Sequence, residues 1–348
     1  MRPDYRQIIE ATDTDRRDLF FTTAASLGTA VQHIEKDFWV CWALDALFNG
    51  VAQPPRILFK GGTSLSKAFS LITRFSEDID ITVFREDLGQ AVQVSELAAL
   101  SGKKRRVRLE GIRQAAQAHI TGPLREQLEA LAHDQMPERR YKIELDPADR
   151  DNQTILFWYP AVTADDSAYI RSAVKIEAGA KSALDPHVTA SITPYVATGL
   201  PHLDLTVPNV TTVAPERTFW DKVVIAHGLR QWHERRGEIR HGGQRVTRHY
   251  YDLRSMLETA KRSGWHLRDD LARDCANHAD MFFGSPDLGL DLAKQGGFTL
   301  TPTENMRSAL EKDYQAMSGM IFGDVPVFSE VIAAIEELEY LVNTASQR

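Results

Sequence analysis

The clearest pattern of apolar and polar positions runs from Leu58 to Val83, LFKGGTSLSKAFSLITRFSEDIDITV. Pro54-Pro55 interrupts the chain just before it, and the apolar stretch Ile57 to Phe59 predicts a short strand. Gly61-Gly62 predicts a turn, and Thr63 and Ser64 the opening of a helix. A second strand follows from Asp78. Its side chains alternate, so Ile79, Ile81 and Val83 face a core while Asp78 and Asp80 share the opposite face.

Elsewhere the spacing is mostly helical. Asp15 to Gly28 predicts a helix, and Val31 to Gly50 a stronger one, with Ile34, Phe38, Trp42, Leu44 and Phe48 at three- and four-residue intervals. Lys36 and Asp37 sit beside that aromatic run and read as a solvated face. A helix is expected over Asp87 to Leu100. The basic run Ser101 to Glu110 (SGKKRRVRLE) reads either as a solvated helix start or loop or as a phosphate-backbone contact, leading into a helix that ends near His133. Strands are expected at Tyr141 to Leu145, Ile155 to Tyr159 and Tyr169 to Ala178, with a further short one at Leu203 to Val207. In the third of these Arg171, Lys175 and Glu177 share one face and Ile170, Val174 and Ile176 the other. After Pro208 the pattern turns almost entirely helical, which predicts two domains, 1–208 and 209–348. In the second, helices are expected at Ala214 to Trp232, Leu267 to Phe283, Thr303 to Met317 and Phe328 to Thr344.

Composition narrows the class. The 348 residues carry 43% hydrophobic side chains, enough for a substantial core, and a formal charge of −7. A nucleic-acid partner would have to be met by local basic patches. No apolar run is long enough to span a bilayer, and the N-terminal residues have no apolar core of a signal peptide. Cys41 and Cys275 form no CxxC pair and read as reduced thiols in a cytoplasmic protein. Eleven histidines show no HExxH spacing, and neither GxSxG nor a Walker A sequence occurs.

The candidate chemistry lies on the strand–turn–helix–strand stretch. Two carboxylates at i and i+2 on one face repel unless a cation sits between them, and Mg2+ is the natural occupant. Gly61-Gly62 and the helix start beyond it would let backbone amides approach phosphate. Glu177 would join Asp78 and Asp80 as a third carboxylate if its strand pairs beside theirs. In the helix from Ala214, Lys222 falls inside the apolar arc of Phe219, Ile225, Ala226 and Leu229, where it either snorkels out of a shallow groove or is buried against an anion, read as a phosphate. Arg235, Arg236, Arg240, Arg245 and Arg248, with Gly237, Gly242 and Gly243, read as a flexible basic loop for a polyanion, with Tyr250 and Tyr251 free to stack on bases.

KGGTSLSKAF (Lys60 to Phe69) followed by RFSEDIDI (Arg74 to Ile81) resembles the signature of the nucleotidyltransferase AbiEii/AbiGii toxin family, with which the MenT toxins belong. IEKDFWVCWAL, ERTFWDKVV and RHYYDL are similar to further family segments. The resemblance implies a bilobed α+β fold. Its N-terminal domain is polymerase-beta-like, with a small mixed sheet and flanking helices, and its C-terminal domain is helical. It implies transfer of NMP from an NTP, in some members onto the 3′ end of tRNA, and a cognate antitoxin encoded nearby. By the same resemblance Lys60, Gly61, Gly62, Thr63, Ser64 and Ser76 would hold the nucleotide. Asp78 and Asp80 would bind Mg2+ or Mn2+, and Lys222 and Asp252 would be the family's later lysine and aspartate. A small-molecule or protein acceptor, or a non-catalytic module with a degenerate site, are the alternatives.

Overall fold

A computed structural model describes residues 1–137, 139–163, 172–240, 245–263 and 269–345. Tyr169 to Arg171 of the expected third strand, Gly242 and Gly243 of the expected loop, and Leu267 of the expected helix lie outside the described residues. The chain divides into two compact units. The first comprises residues 1–68, 75–92 and 102–213; the second comprises 69–74, 93–101 and 214–348.

The first unit is built on a mixed sheet. Among the described residues its strands are β1 (Ile57–Lys60), β2 (Asp78–Val83), β3 (Lys142–Leu145), β4 (Thr154–Trp158), β5 (Ala173–Glu177), β6 (His187–Ile192) and β7 (Val207–Val213), in the order β3-β4-β5-β2-β1-β7-β6. β2 runs antiparallel to β1 and parallel to β5, and β1 is parallel to β7. The alternation along β2 does what the sequence requires: Ile79, Ile81 and Val83 are buried.

Helices flank this sheet. α1 (Asp4–Glu10) and α2 (Asp13–Leu27) precede α3 (Val31–Asp45). The Thr12 side chain accepts a hydrogen bond from the Asp15 amide to cap α2, which stops at left-handed Gly28. α3 is buried from His33 to Asp45 and packs across β7, β5 and β2. Its aromatic residues continue into the sheet, with Trp39 stacked on Tyr159 and Trp42 against Phe157. α4 (Gly61–Lys67) joins β1 to the segment before β2. α6 (Gly102–His119) and α7 (Arg125–Gln135) are linked by a wide turn, Ile120–Leu124, that accommodates Pro123.

The second unit contains α5 (Val94–Ala98), α8 (Pro215–Arg236), α9 (Thr247–Ser263), α10 (Asp269–Phe283), α11 (Leu290–Lys294), α12 (Glu304–Met317) and α13 (Phe328–Ala345). α8 begins with proline at its first position and ends at left-handed Gly237, whose amide donates to the His233 carbonyl. α9 packs on α8, α12 and α13.

Several expectations need correction. Lys36 and Asp37 are not solvated; both are buried, each against an opposite charge. The helix expected over Asp87 to Leu100 is present only at Val94–Ala98. Of the two readings of the basic run, helix start or loop, the helix start holds, from Gly102. Gly61 and Gly62 form the first turn of α4 rather than a separate turn. Strand β6 was not anticipated, and β7 starts at Val207 where the expected strand ended. Pro208 masks β7 in the sequence. The β6–β7 register shifts between Ala190 and Ile192, and beside that irregularity Asn209 takes a left-handed conformation (φ 58°). A bulge is where a strand tolerates proline.

Candidate active site

In the first unit the ladders bring the carboxylates together. Asp80 lies opposite Lys60 across β1–β2 and opposite Glu177 across β2–β5; Asp78 lies opposite Lys175. The pairing on which a role for Glu177 depends is therefore present. The Glu177 carboxylate is half-exposed and turned toward Lys175. Lys60 Nζ stands 3.8 Å from Asp80 Oδ1.

Gly61 explains why glycine precedes this site. Its φ is +82°, and a Cβ there would lie 2.1 Å from Asp80 Oδ2. Only a residue without a side chain lets the start of α4 come this close to the carboxylate. Thr63 and Ser64 are buried, and their hydroxyls bond internally. The Thr63 hydroxyl donates to the Asp78 carbonyl and shares a second hydrogen bond with Ser76 Oγ (2.9 Å), and Ser64 Oγ donates to the Gly61 carbonyl (2.8 Å). These bonds tie α4 to the segment entering β2.

Asp78 is in an anionic neighbourhood. Burial pushes its pKa up to about 6, with Glu77, Glu177 and Asp80 adding to the shift and Lys36 opposing it. The donors are hard carboxylate oxygens, the set that suits a divalent cation completing its shell with waters and substrate phosphates. Among the described residues no three His, Cys, Asp or Glu side chains form a ready-made cage. Asp78 and Asp80 fit Mg2+ as a two-carboxylate platform.

The second unit holds a cluster of the opposite sign. Lys222 is buried rather than snorkelling, and its Nζ meets Asp252 Oδ2 at 2.8 Å. Ile225 departs from that arc and is exposed. Arg74 grips Asp252 with two hydrogen bonds, Nε to Oδ1 at 2.7 Å and Nη2 to Oδ2 at 2.9 Å. The anion that meets Lys222 here is thus a carboxylate. Burial opposes ionisation of Asp252, but Arg74 and Lys222 override it and hold its carboxyl well below the usual range. Burial lowers the Lys222 pKa, against Asp252 and with the help of Arg74 and Arg248. His249, beside these cations, is pushed well below its ordinary value by burial, Lys222 and Arg248, and stays neutral.

The matches to known proteins span the chain. The model of the nucleotidyl transferase AbiEii toxin family, type IV toxin–antitoxin system, matches residues 42–336. The chain belongs to the AbiEii nucleotidyltransferase toxin family. Its chemistry is accordingly nucleotidyl transfer, and its class is that of a type IV toxin–antitoxin system. A similar solved structure is the nucleotidyltransferase toxin MenT4 from Mycobacterium tuberculosis, 15% identical, covering 94% of this chain and 98% of that one at a TM-score of 0.42. No curated protein matches. No helix among the described residues of this AbiEii chain is long and apolar enough to cross a membrane.

Only the ends of the expected basic loop are α-helical: Arg235 and Arg236 belong to α8 and Arg248 to α9, and residues 241–244 between them lie outside the described residues. Arg235 and Arg236 occupy the last turn of α8, where cations favour the helix dipole. Arg235 donates to the Pro286 carbonyl, and Arg236 Nε bonds Asp287 at 2.9 Å. Arg236 and Arg240 lie over the Trp232 ring. The exposed Arg245 and half-buried Arg248 flank the start of α9. Tyr250 and Tyr251 are buried, so neither is free to stack on a base; Tyr251 instead shares a 2.9 Å hydrogen bond with Thr73. Arg74, Glu77 and Lys67 were missed as site-shaping residues. The signal available was that Arg74 and Glu77 sit inside RFSEDIDI.

Proposed function

We propose that this AbiEii toxin transfers NMP from an NTP to an RNA acceptor, the 3′ end of tRNA, with Mg2+ or Mn2+ held by Asp78 and Asp80. The observation that carries this reading is the convergence of carboxylates on adjacent strands, β2 and β5, with Asp78 pushed up to about 6. A site of that sign accepts a cation and, through it, a triphosphate. When bound, the metal neutralises triphosphate charge and lowers the pKa of the attacking hydroxyl.

The chain's own groups do the rest. Gly61 and Gly62 present backbone to the phosphates beside Asp80, with Thr63 and Ser64 fixing that turn from inside. Ser76 lies on the same hydrogen-bonded strap, and Lys60 offers a cation 3.8 Å from Asp80. Glu177 stands in register to receive the acceptor proton once it turns from Lys175. In the second unit, Lys222 and Arg74 exceed Asp252 by one charge, and Arg248 adds another, which suits a polyanion. Arg235, Arg236, Arg240 and Arg245 extend that basic character as RNA contacts.

The test is incubation of the protein with total tRNA, Mg2+ and each α-labelled NTP in turn. Label is expected in tRNA, and Asp80→Ala is expected to abolish it. Label passing to a protein or small molecule instead would overturn the acceptor. An Asp80→Ala protein as active as wild type would overturn the site. A cognate antitoxin is expected from the adjacent gene, and its co-expression should relieve growth arrest.

A further inference from the structure

Helix α3 carries two adjacent charges that are buried, and each reaches a different part of the candidate site. Lys36 Nζ lies 2.7 Å from Glu77 Oε2, and Glu77 immediately precedes Asp78. Asp37 Oδ1 lies 2.7 Å from the Nζ of Lys67, the last residue of α4, whose first residue is Gly61. The Lys67 ammonium also sits 3.7 Å above the Tyr195 ring, and the Tyr195 amide donates to Asp37 Oδ2 at 2.7 Å. One turn earlier on α3, His33 stacks on Phe75 at 4.4 Å.

Apolar contacts would join these elements without the cost of desolvating four charges, so stability is a poor reason for the pairs. Register is a better one. Lys36 and Asp37 are about 100° apart around the helix and opposite in sign. Exchanging their targets would set Lys67 against Lys36 and Glu77 against Asp37. Only one placement of α4 and of the β2 entrance satisfies both charges. The site needs such placement, because Gly61 approaches Asp80 more closely than any side chain would permit.

We propose that Lys36 and Asp37 are positioning residues for nucleotidyl transfer. Lys36 acts through Glu77 on the Asp78–Asp80 carboxylates, and Asp37 acts through Lys67 on the glycine start of α4. This rests on the reading of those groups as metal and phosphate ligands.

The doubly neutralised variants Lys36→Met/Glu77→Gln and Asp37→Asn/Lys67→Met leave no charge buried alone. Thermal unfolding fixes an assay temperature at which both are folded. Transfer of α-labelled NTP to total tRNA then gives kcat and NTP KM, and Mn2+ titration followed by water-proton relaxation gives metal affinity without turnover. Lys36→Met/Glu77→Gln is expected to lower kcat about 10–100-fold and weaken Mn2+ binding several-fold, with NTP KM within about twofold of wild type. Asp37→Asn/Lys67→Met is expected to raise NTP KM about tenfold and leave Mn2+ affinity unchanged. Wild-type values in either variant, or the same loss in both, overturn the assignment. Where a double variant does not fold, Lys36→Arg and Asp37→Glu decide. They keep the charge and change its reach, so the same split on a smaller scale supports the proposal, and wild-type values or an identical loss overturn it. Asp80→Asn is assayed in parallel. Loss of transfer there beside unaffected variants of α3 overturns the positioning role alone, whereas full transfer by Asp80→Asn overturns the reading of the site itself.

Discussion

Asp78 in the first unit and Asp252 in the second are the same side chain, both largely removed from water, with opposite electrostatics. Asp78 has Glu77, Glu177 and Asp80 around it, and its pKa rises to about 6. Asp252 has Arg74 and Lys222 against its two oxygens, and its carboxyl is held well below the ordinary range. Burial alone pushes both upward, so the sign of the neighbours decides the outcome. The first cluster has too few cations and the second too few anions. The proposed function gives each unit its own counter-charge, a metal ion for the carboxylates of the first and a polyanion for the basic groups of the second.

The largest effect expected from this contrast is in the second unit. Asp252→Asn leaves Arg74 and Lys222 buried without their shared anion and should cost about 3–5 kcal/mol in urea unfolding. A cost near zero would show that the cations find other partners, and the contrast would fail. Next is Gly61→Ala, whose Cβ would press on Asp80 at 2.1 Å; transfer should fall about 100-fold. Gly28→Ala is the control, because its φ is also positive (+63°) and nothing lies within 4 Å of the added Cβ. Only strain of about 1–2 kcal/mol is expected there, with transfer unchanged. Equal transfer loss in both would show that Gly61 matters for its conformation and not for its approach to Asp80.

The pH dependence of stability sharpens the same comparison. An unfolded aspartate titrates near 3.9, and Asp78 in the fold titrates at about 6. Between those values the native state holds more protons, so this group's contribution to stability falls as pH rises from about 4 to 6. The fall is about 2–3 kcal/mol, and Asp78→Asn should remove it from the urea midpoints. Asp252 works in the other direction, stabilising above its unfolded pKa and losing that contribution as pH falls. A wild-type profile in Asp78→Asn would dismiss the anionic neighbourhood. The smallest effect concerns the arginines. Neutralising Arg235 and Arg236 should raise RNA KM a few-fold and lower the salt slope by about 1–2, as for two phosphate contacts. An unchanged slope would remove the end of α8 from the RNA surface.

Some of this was legible before any coordinates. Alternation along Asp78–Val83 placed Ile79, Ile81 and Val83 in the core, because strand period and hydrophobic period coincide, but it gave no sign that Thr82 on the opposite face is buried as well. The apolar arc around Lys222 made burial against an anion one of two readings. Ile225 shows the limit of that argument, since an angular position on a helix does not say whether a neighbour covers it. Lys36 and Asp37 show the same limit from the polar side. Charges on a helix read as solvated unless their partners are visible, and those partners, Glu77 and Lys67, lie 41 and 30 positions away (77 − 36 and 67 − 37).

By itself, then, the sequence determined the local chemistry: a glycine before a helix, two aspartates on one strand face, a lysine on an apolar one, and the resemblance that those motifs carry. Tertiary structure decided which charges share a neighbourhood. β5 came to lie beside β2, so Glu177 stands opposite Asp80. Arg74 joined Lys222 at Asp252, and α3 set Lys36 and Asp37 against the two ends of the site's frame. The reason is physical. Periodicity acts over a few residues and is written in the order of the chain, whereas electrostatic pairing acts over a few ångströms and depends on which distant segments packing brings within reach.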